Sequence, residues 1–140
     1  MPLDPSSFGA PIAQRNAAYT TPRPDVFAMV PPAARHILDV GCSNGALGRS
    51  LMTAQPGRSV CGIEFDTAFA REAADHLDHV INADLNLLDW HEALVGRSFD
   101  YIIFANVLGH LIEPKRCLRQ ALQHFRAGGL GTELLPGGEL

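Results

Sequence analysis

A doubly wound α/β sheet of about four parallel strands, in the order 3-2-1-4 with helices on both faces, is the fold class this sequence predicts. Three observations carry it. Short β-rich runs alternate with amphipathic stretches along the chain, the pattern of repeated strand and helix units. The links between runs are long enough for right-handed parallel crossovers rather than hairpins. The run Phe99 to Ala105 (FDYIIFA) is apolar at successive positions, as a strand covered by helices on each side should be.

The elements follow in order. Residues 1–18 mix Pro2, Pro5, Pro11 and Gly9 with small polar residues and show no period, so a flexible arm is expected. Pro24 opens and Pro31 closes a helix of about two turns, with Val26, Phe27 and Val30 facing inward. His36 to Val40 is β-rich and ends at Gly41; the loop to Gly45 leads into a helix from Ala46 to Gln55, with Leu47 and Leu51 on one face. Pro56 and Gly57 stop it. Ser59 to Phe65 is the second strand, after which Asp66 or Thr67 can cap a helix through Leu77 whose inner stripe is Phe69, Ala73 and Leu77. His79 to Asn82 reads as a third strand, Leu87 to Val95 as a short helix and FDYIIFA as the fourth strand. Glu113 caps and Pro114 starts the last helix, with Leu118, Ala121, Leu122 and Phe125 inward and Gly128 and Gly129 at its end. The domain is therefore expected over 19–129, with 130–140 (LGTELLPGGEL) an irregular tail.

Composition narrows the function classes. With 140 residues, 46% of them hydrophobic, 19% charged, and a formal charge of −4, the chain suits one packed domain and excludes a disordered or coiled-coil class. Mild acidity gives no electrostatic footprint for nucleic acid. No apolar run is long enough to span a bilayer, and the opening lacks a basic, apolar leader, so the expectation is a cytoplasmic protein with no membrane partner. Cys42, Cys61 and Cys117 are odd in number and lack CxxC spacing, and the six histidines lack ligand spacing, so neither a disulfide framework nor a metal site is predicted.

Doubly wound sheets bind ligands beyond the carboxyl ends of their strands, where the strand order reverses. The loop Gly41-Cys42-Ser43-Asn44-Gly45 after the first strand lets the backbone turn sharply and approach a ligand without a Cβ in the way. Glu64, at the end of the second strand, is placed where a carboxylate accepts from both hydroxyls of a ribose. Asp84 directly follows the third strand and can accept from an exocyclic amine; a turn cap is the bland alternative.

HILDVGCSNGALG, VCGIEFD, INADL and FDYIIFANVLGHLIEP, followed by a helix ending AGG, occur in this order. Together they resemble the class I S-adenosylmethionine-dependent methyltransferase family, which has a Rossmann-like fold. The resemblance implies S-adenosyl-L-methionine as cofactor and S-adenosyl-L-homocysteine (SAH) as product. It further implies that Asp39 holds the methionine end, that Gly41, Cys42, Ser43 and Gly45 pass against it, and that Glu64 takes the ribose. Ile63 or Phe65 would flank the adenine, Asp84 would take its amine with Leu85 beside it, and Asn106 and Val107 would line the reactive end. Ser43 stands where the family has its middle glycine. Gly109 stands where an acid is frequent, a departure on the substrate side. His110, an imidazole that would sit at the top of the fourth strand, is the candidate catalytic base, with a structural His capping the loop as the alternative.

Family members continue through three more strands after the fourth helix, so the chain resembles a member truncated there. FDYIIFA would then lie at an open edge, and a homodimer through that edge is expected. The expected activity is methyl transfer, possible at oxygen, to a small-molecule or saccharide acceptor; the competing reading is a non-catalytic cofactor-binding or oligomerisation module. A nicotinamide-dinucleotide enzyme fits less well, because its Gly-x-Gly-x-x-Gly fingerprint is here Gly41-x-Ser43-x-x-Ala46.

Overall fold

The computed structural model describes residues 23–105 and 107–134. In chain order the elements are α1 (Pro24–Met29), β1 (His36–Val40), α2 (Ala46–Ala54), β2 (Ser59–Glu64), α3 (Thr67–Ala74), β3 (His79–Asn82), α4 (Trp90–Ala93), β4 (Tyr101–Phe104), a 3-10 turn (Leu108–His110), α5 (Pro114–Leu122) and β5 (Gly131–Leu134). The strands form one sheet in the order β3-β2-β1-β4-β5, every pairing parallel. β1 sits centrally, with Ile37 opposite Val60 of β2 and Tyr101 of β4.

The doubly wound architecture is as expected, with one strand more than the sequence reading counted. Gly131 to Leu134 lies parallel to β4 in register Tyr101 to Gly131, entered through a Leu130 N–H to Asp100 carbonyl bond of 2.6 Å. The supposed irregular tail therefore contributes to the sheet, and β4 is internal rather than an open edge. The glycine content that argued against a strand is compatible with it here, because Gly131 takes φ +147, a conformation that side chains disfavour. What decides pairing is the row of backbone groups that β4 offers, a tertiary partner invisible in an eleven-residue window.

Both sheet faces are packed, which explains why FDYIIFA has no polar side. One face gathers Val26, Ile37, Leu51, Val60 and Ile103 beneath α1, α2 and α3; the other gathers Leu38, Val40, Ile63, Trp90 and Phe104 beneath α4 and α5. The helical stripes differ in detail from those expected. α3 stops at Ala74 and buries Ala70 and Ala73, leaving Phe69 half-buried, since Asp66 caps it from one residue outside (Phe69 N–H to Asp66 Oδ1, 2.9 Å) and so fixes its phase. In α5 Cys117 and Ala121 are buried, Leu118 and the following Phe125 pack half-buried against the same cluster as expected, and Leu122 is turned outward.

Two buried charged side chains brace the amino ends of the strands. The Arg58 guanidinium donates to the carbonyls of Ala34, Leu51 and Pro31 at 3.0–3.1 Å. Asp100 accepts from the Arg35 and His36 amides. No helix among the described residues is long and apolar enough to cross a membrane.

Candidate functional site

The carboxyl ends of β1 to β4 enclose a crevice of about 280 Å3. Gly41 follows β1, Glu64 and Phe65 close β2, Asp84 and Leu85 follow β3, and Val107 and His110 follow β4. Because β1 lies between β2 and β4, the crevice occupies the point where strand order reverses and neighbouring loops diverge.

The bend after β1 is built by hydrogen bonds to the end of β2. Gly41 and Cys42 both donate their N–H to the Ile63 carbonyl, at 2.8 and 3.0 Å. Gly41 takes φ +82, and a Cβ there would run into Cγ1 of Val107, so only glycine lets the loops after β1 and β4 pass this closely. Ser43, also left-handed at φ +54, donates its N–H to Glu64 Oε1 at 2.7 Å. The other Glu64 oxygen accepts from the Asp66 N–H at 2.9 Å. Two amides thus fix the carboxylate at the crevice wall, and each oxygen retains acceptor capacity for a ligand.

Asp39 lies one layer deeper, 2% exposed, with its Oδ1 lacking a hydrogen-bond partner among the described residues. Burial first, and then the negative charge of Glu64, push its carboxyl up to about 7, with the Arg23 charge opposing. An unsatisfied buried carboxyl is costly, and such groups cluster where a ligand completes them. Asp84 makes the turn contact that was the bland alternative, its Oδ1 accepting from the Asn86 N–H at 2.9 Å, and the residue also lines the crevice. The Glu64 and Asp84 carboxyls stand on the wall, the Asp39 carboxyl lies below, and no Lys or Arg is among the described lining residues, an arrangement that favours a cationic ligand.

Two predicted contacts lie elsewhere. Cys42 faces away from the crevice, its buried thiol packed under Gly62 and its N–H already used by Ile63; burial pushes the thiol well up. Gly45 packs against Ala73 of α3 and caps α2, with its N–H given to the Cys42 carbonyl. Both serve the shape of the bend. Ser43 contributes its amide, while its hydroxyl is buried without a partner among the described residues. Phe65 lies on the lining and is 69% exposed. His110, exposed, lines the crevice from the 3-10 turn after β4. Asn106 lies outside the described residues. Asn86 and Leu111 also line the crevice and were not predicted; the Asp-x-Asn spacing of 84 to 86 is a turn signal that points to the first, whereas nothing local marks the second.

A family model described as a methyltransferase domain matches residues 38–130. The chain belongs to the class I methyltransferase family. Its methyltransferase domain is similar to three solved structures. The N-terminal domain of EvdMO1, crystallised in the presence of SAH and D-fucose, is 30% identical, with a TM-score of 0.58 over 72% of this chain and 45% of that one. The plantazolicin methyltransferase BpumL, in complex with a monoazolic desmethylPZN analog and SAH, gives 0.69 at 18% identity over 92% and 56%. StiE O-MT residues 961–1257 gives 0.63 at 18% over 86% and 43%. The methyltransferase chain thus spans about half the length of these structures. No curated protein gives a significant match.

Proposed function

We propose that this domain holds S-adenosylmethionine across the carboxyl end of its sheet and directs the methyl group to an oxygen of a small-molecule or saccharide acceptor. The observation that carries the reading is Glu64: a carboxylate fixed by the Ser43 and Asp66 amides, opening onto a crevice that Asp84 shares. When bound, the cofactor supplies a methyl on a cationic sulfonium. Glu64 accepts from the ribose hydroxyls, Phe65 offers an apolar face to the base, and Asp84 accepts from its amine. Asp39, unsatisfied and beneath the bend, takes the ammonium at the methionine end. Val107, held against Gly41, forms the wall beside the reacting end. Methyl transfer depends on in-line approach, so positioning supplies most of the acceleration. His110, at the mouth, accepts the hydroxyl proton as it is lost. The saccharide class draws support from the EvdMO1 domain having been crystallised in the presence of D-fucose, and oxygen from the description of StiE as an O-MT.

Glu64→Ala removes the ribose acceptor and is expected to weaken SAH binding by tenfold or more, because each charge-assisted bond contributes about 1.5–3 kcal/mol. Calorimetry reads this directly, and an unchanged Kd defeats the assignment. Because this chain covers only part of the solved structures it matches, a cofactor-binding module without turnover is the second reading. SAH binding accompanied by no methyl transfer across a panel of acceptors favours it.

A further inference from the structure

One side chain ties together two loops that face each other across the crevice. Asn86, in the loop after β3, accepts through Oδ1 from the N–H of Ile112, just beyond the turn after β4, at 2.9 Å. Its own N–H donates to Asp84 Oδ1 at 2.9 Å. Among the described residues no other hydrogen bond joins these two loops. Asp84 and Leu85 line the crevice from one side of the tie, and Val107, His110 and Leu111 line it from the other. The remaining link is apolar contact, with Leu85, Leu88, Val107 and Leu111 all packed on the same core cluster. Such contact is non-directional and sets no spacing of its own.

We infer that the Asn86 side chain is a positioning group that fixes the width of the crevice: through Ile112 it holds the wall carrying Leu111 and His110 opposite the Asp84 carboxylate, which the main-chain N–H of the same residue orients. The inference rests on the proposed cofactor reading, since the ligand it serves is the one lodged between these walls. The tie leaves the chemistry untouched and acts on affinity, so its removal is expected to weaken SAH binding roughly three- to tenfold, the range of one net hydrogen bond.

A double-mutant cycle tests it. Asn86→Ala deletes the acceptor and Ile112→Pro deletes the donor. The proline is compatible with the backbone before it, because Leu111 is extended at φ −95, ψ 148, and the Ile112 side chain is 82% exposed, so little packing is lost. Each single variant is expected to weaken SAH binding, and the double variant no further than the weaker-binding single. Asn86→Asp keeps an acceptor and should recover most of the affinity at raised salt, which screens its added charge. Additive losses, or an Asn86→Asp variant as weak as Asn86→Ala, overturn the inference. Hydrogen exchange at the Ile112 amide provides a ligand-free readout: slow in the wild type and Asn86→Asp, faster in Asn86→Ala. Equal rates overturn the tie, whereas a wild type that does not bind SAH sinks the cofactor reading alone.

Discussion

Ser43 combines three conditions that a single residue is rarely asked to meet. It sits in left-handed backbone, its hydroxyl is buried without a partner among the described residues, and its N–H helps hold the Glu64 carboxylate. The left-handed conformation costs a non-glycine residue about 1–2 kcal/mol, and an unsatisfied buried hydroxyl adds about 1–3 kcal/mol. Against these, a glycine would return less than about 1 kcal/mol of entropy to the unfolded chain. Ser43→Gly should therefore stabilise the fold by roughly 1–4 kcal/mol, seen as a higher urea midpoint at unchanged m-value. SAH affinity should move less than about threefold, because the contact to Glu64 is made by the backbone. A lower midpoint would mean that the hydroxyl has found a partner and is retained for it.

Gly62, in the middle of β2, shows how element packing shapes the site from behind. A Cβ there would meet Cys42 Sγ at 2.5 Å and Leu77 Cδ1 at 2.9 Å, so the strand, the bend after β1 and the end of the α3 region share one small space. Gly62→Ala should destabilise by about 1–3 kcal/mol, the usual cost of overpacking. Adding Cys42→Ala removes the nearest atom and should recover part of the loss, whereas strictly additive losses in thermal unfolding would argue against this contact. The same packing explains what was legible in the chain. Strand and helix alternation, the proline and aspartate helix starts, and the strand-end carboxylates Glu64 and Asp84 are local signals, and they led to the sheet and to the crevice. Cys42 could not be told from its neighbours in the bend, because which way a loop residue turns depends on the glycine it packs beneath. β5 was missed because its partner strand is a tertiary feature; a second copy joining this sheet would meet β3 or β5 rather than β4. Asn86 needed a residue 26 positions away to acquire its role.

Across the whole molecule, the concentration of carboxylates at one end of the sheet links folding to pH. Asp39 has its carboxyl raised from 3.8 to about 7, chiefly by burial and then by Glu64. The native state therefore binds more protons than the unfolded state between those values, and stability falls as pH rises through that window. At about 1.4 kcal/mol per unit, the loss is on the order of 4 kcal/mol once the carboxyl is ionised. His79 has the opposite slope: burial and then the Arg97 charge push its folded value down, so its contribution falls as pH drops below its ordinary range. The two overlap in mildly acid solution, and the diagnostic is a difference between proteins rather than one profile. Asp39→Asn should leave stability near pH 4 almost unchanged and raise it above pH 7, removing the descending limb while preserving the histidine limb. Denaturant unfolding across pH 4 to 8 measures this, and parallel wild-type and variant profiles would exclude Asp39 as the group responsible. The linkage extends to the ligand. An ammonium placed beside Asp39 would draw its carboxyl back down, so SAH binding near pH 6 should release protons, seen as a binding heat that varies with the ionisation enthalpy of the buffer. The same substitution that stabilises the empty fold should then abolish that proton release and weaken binding, because the charge that burdens the empty molecule is the one that receives the cation.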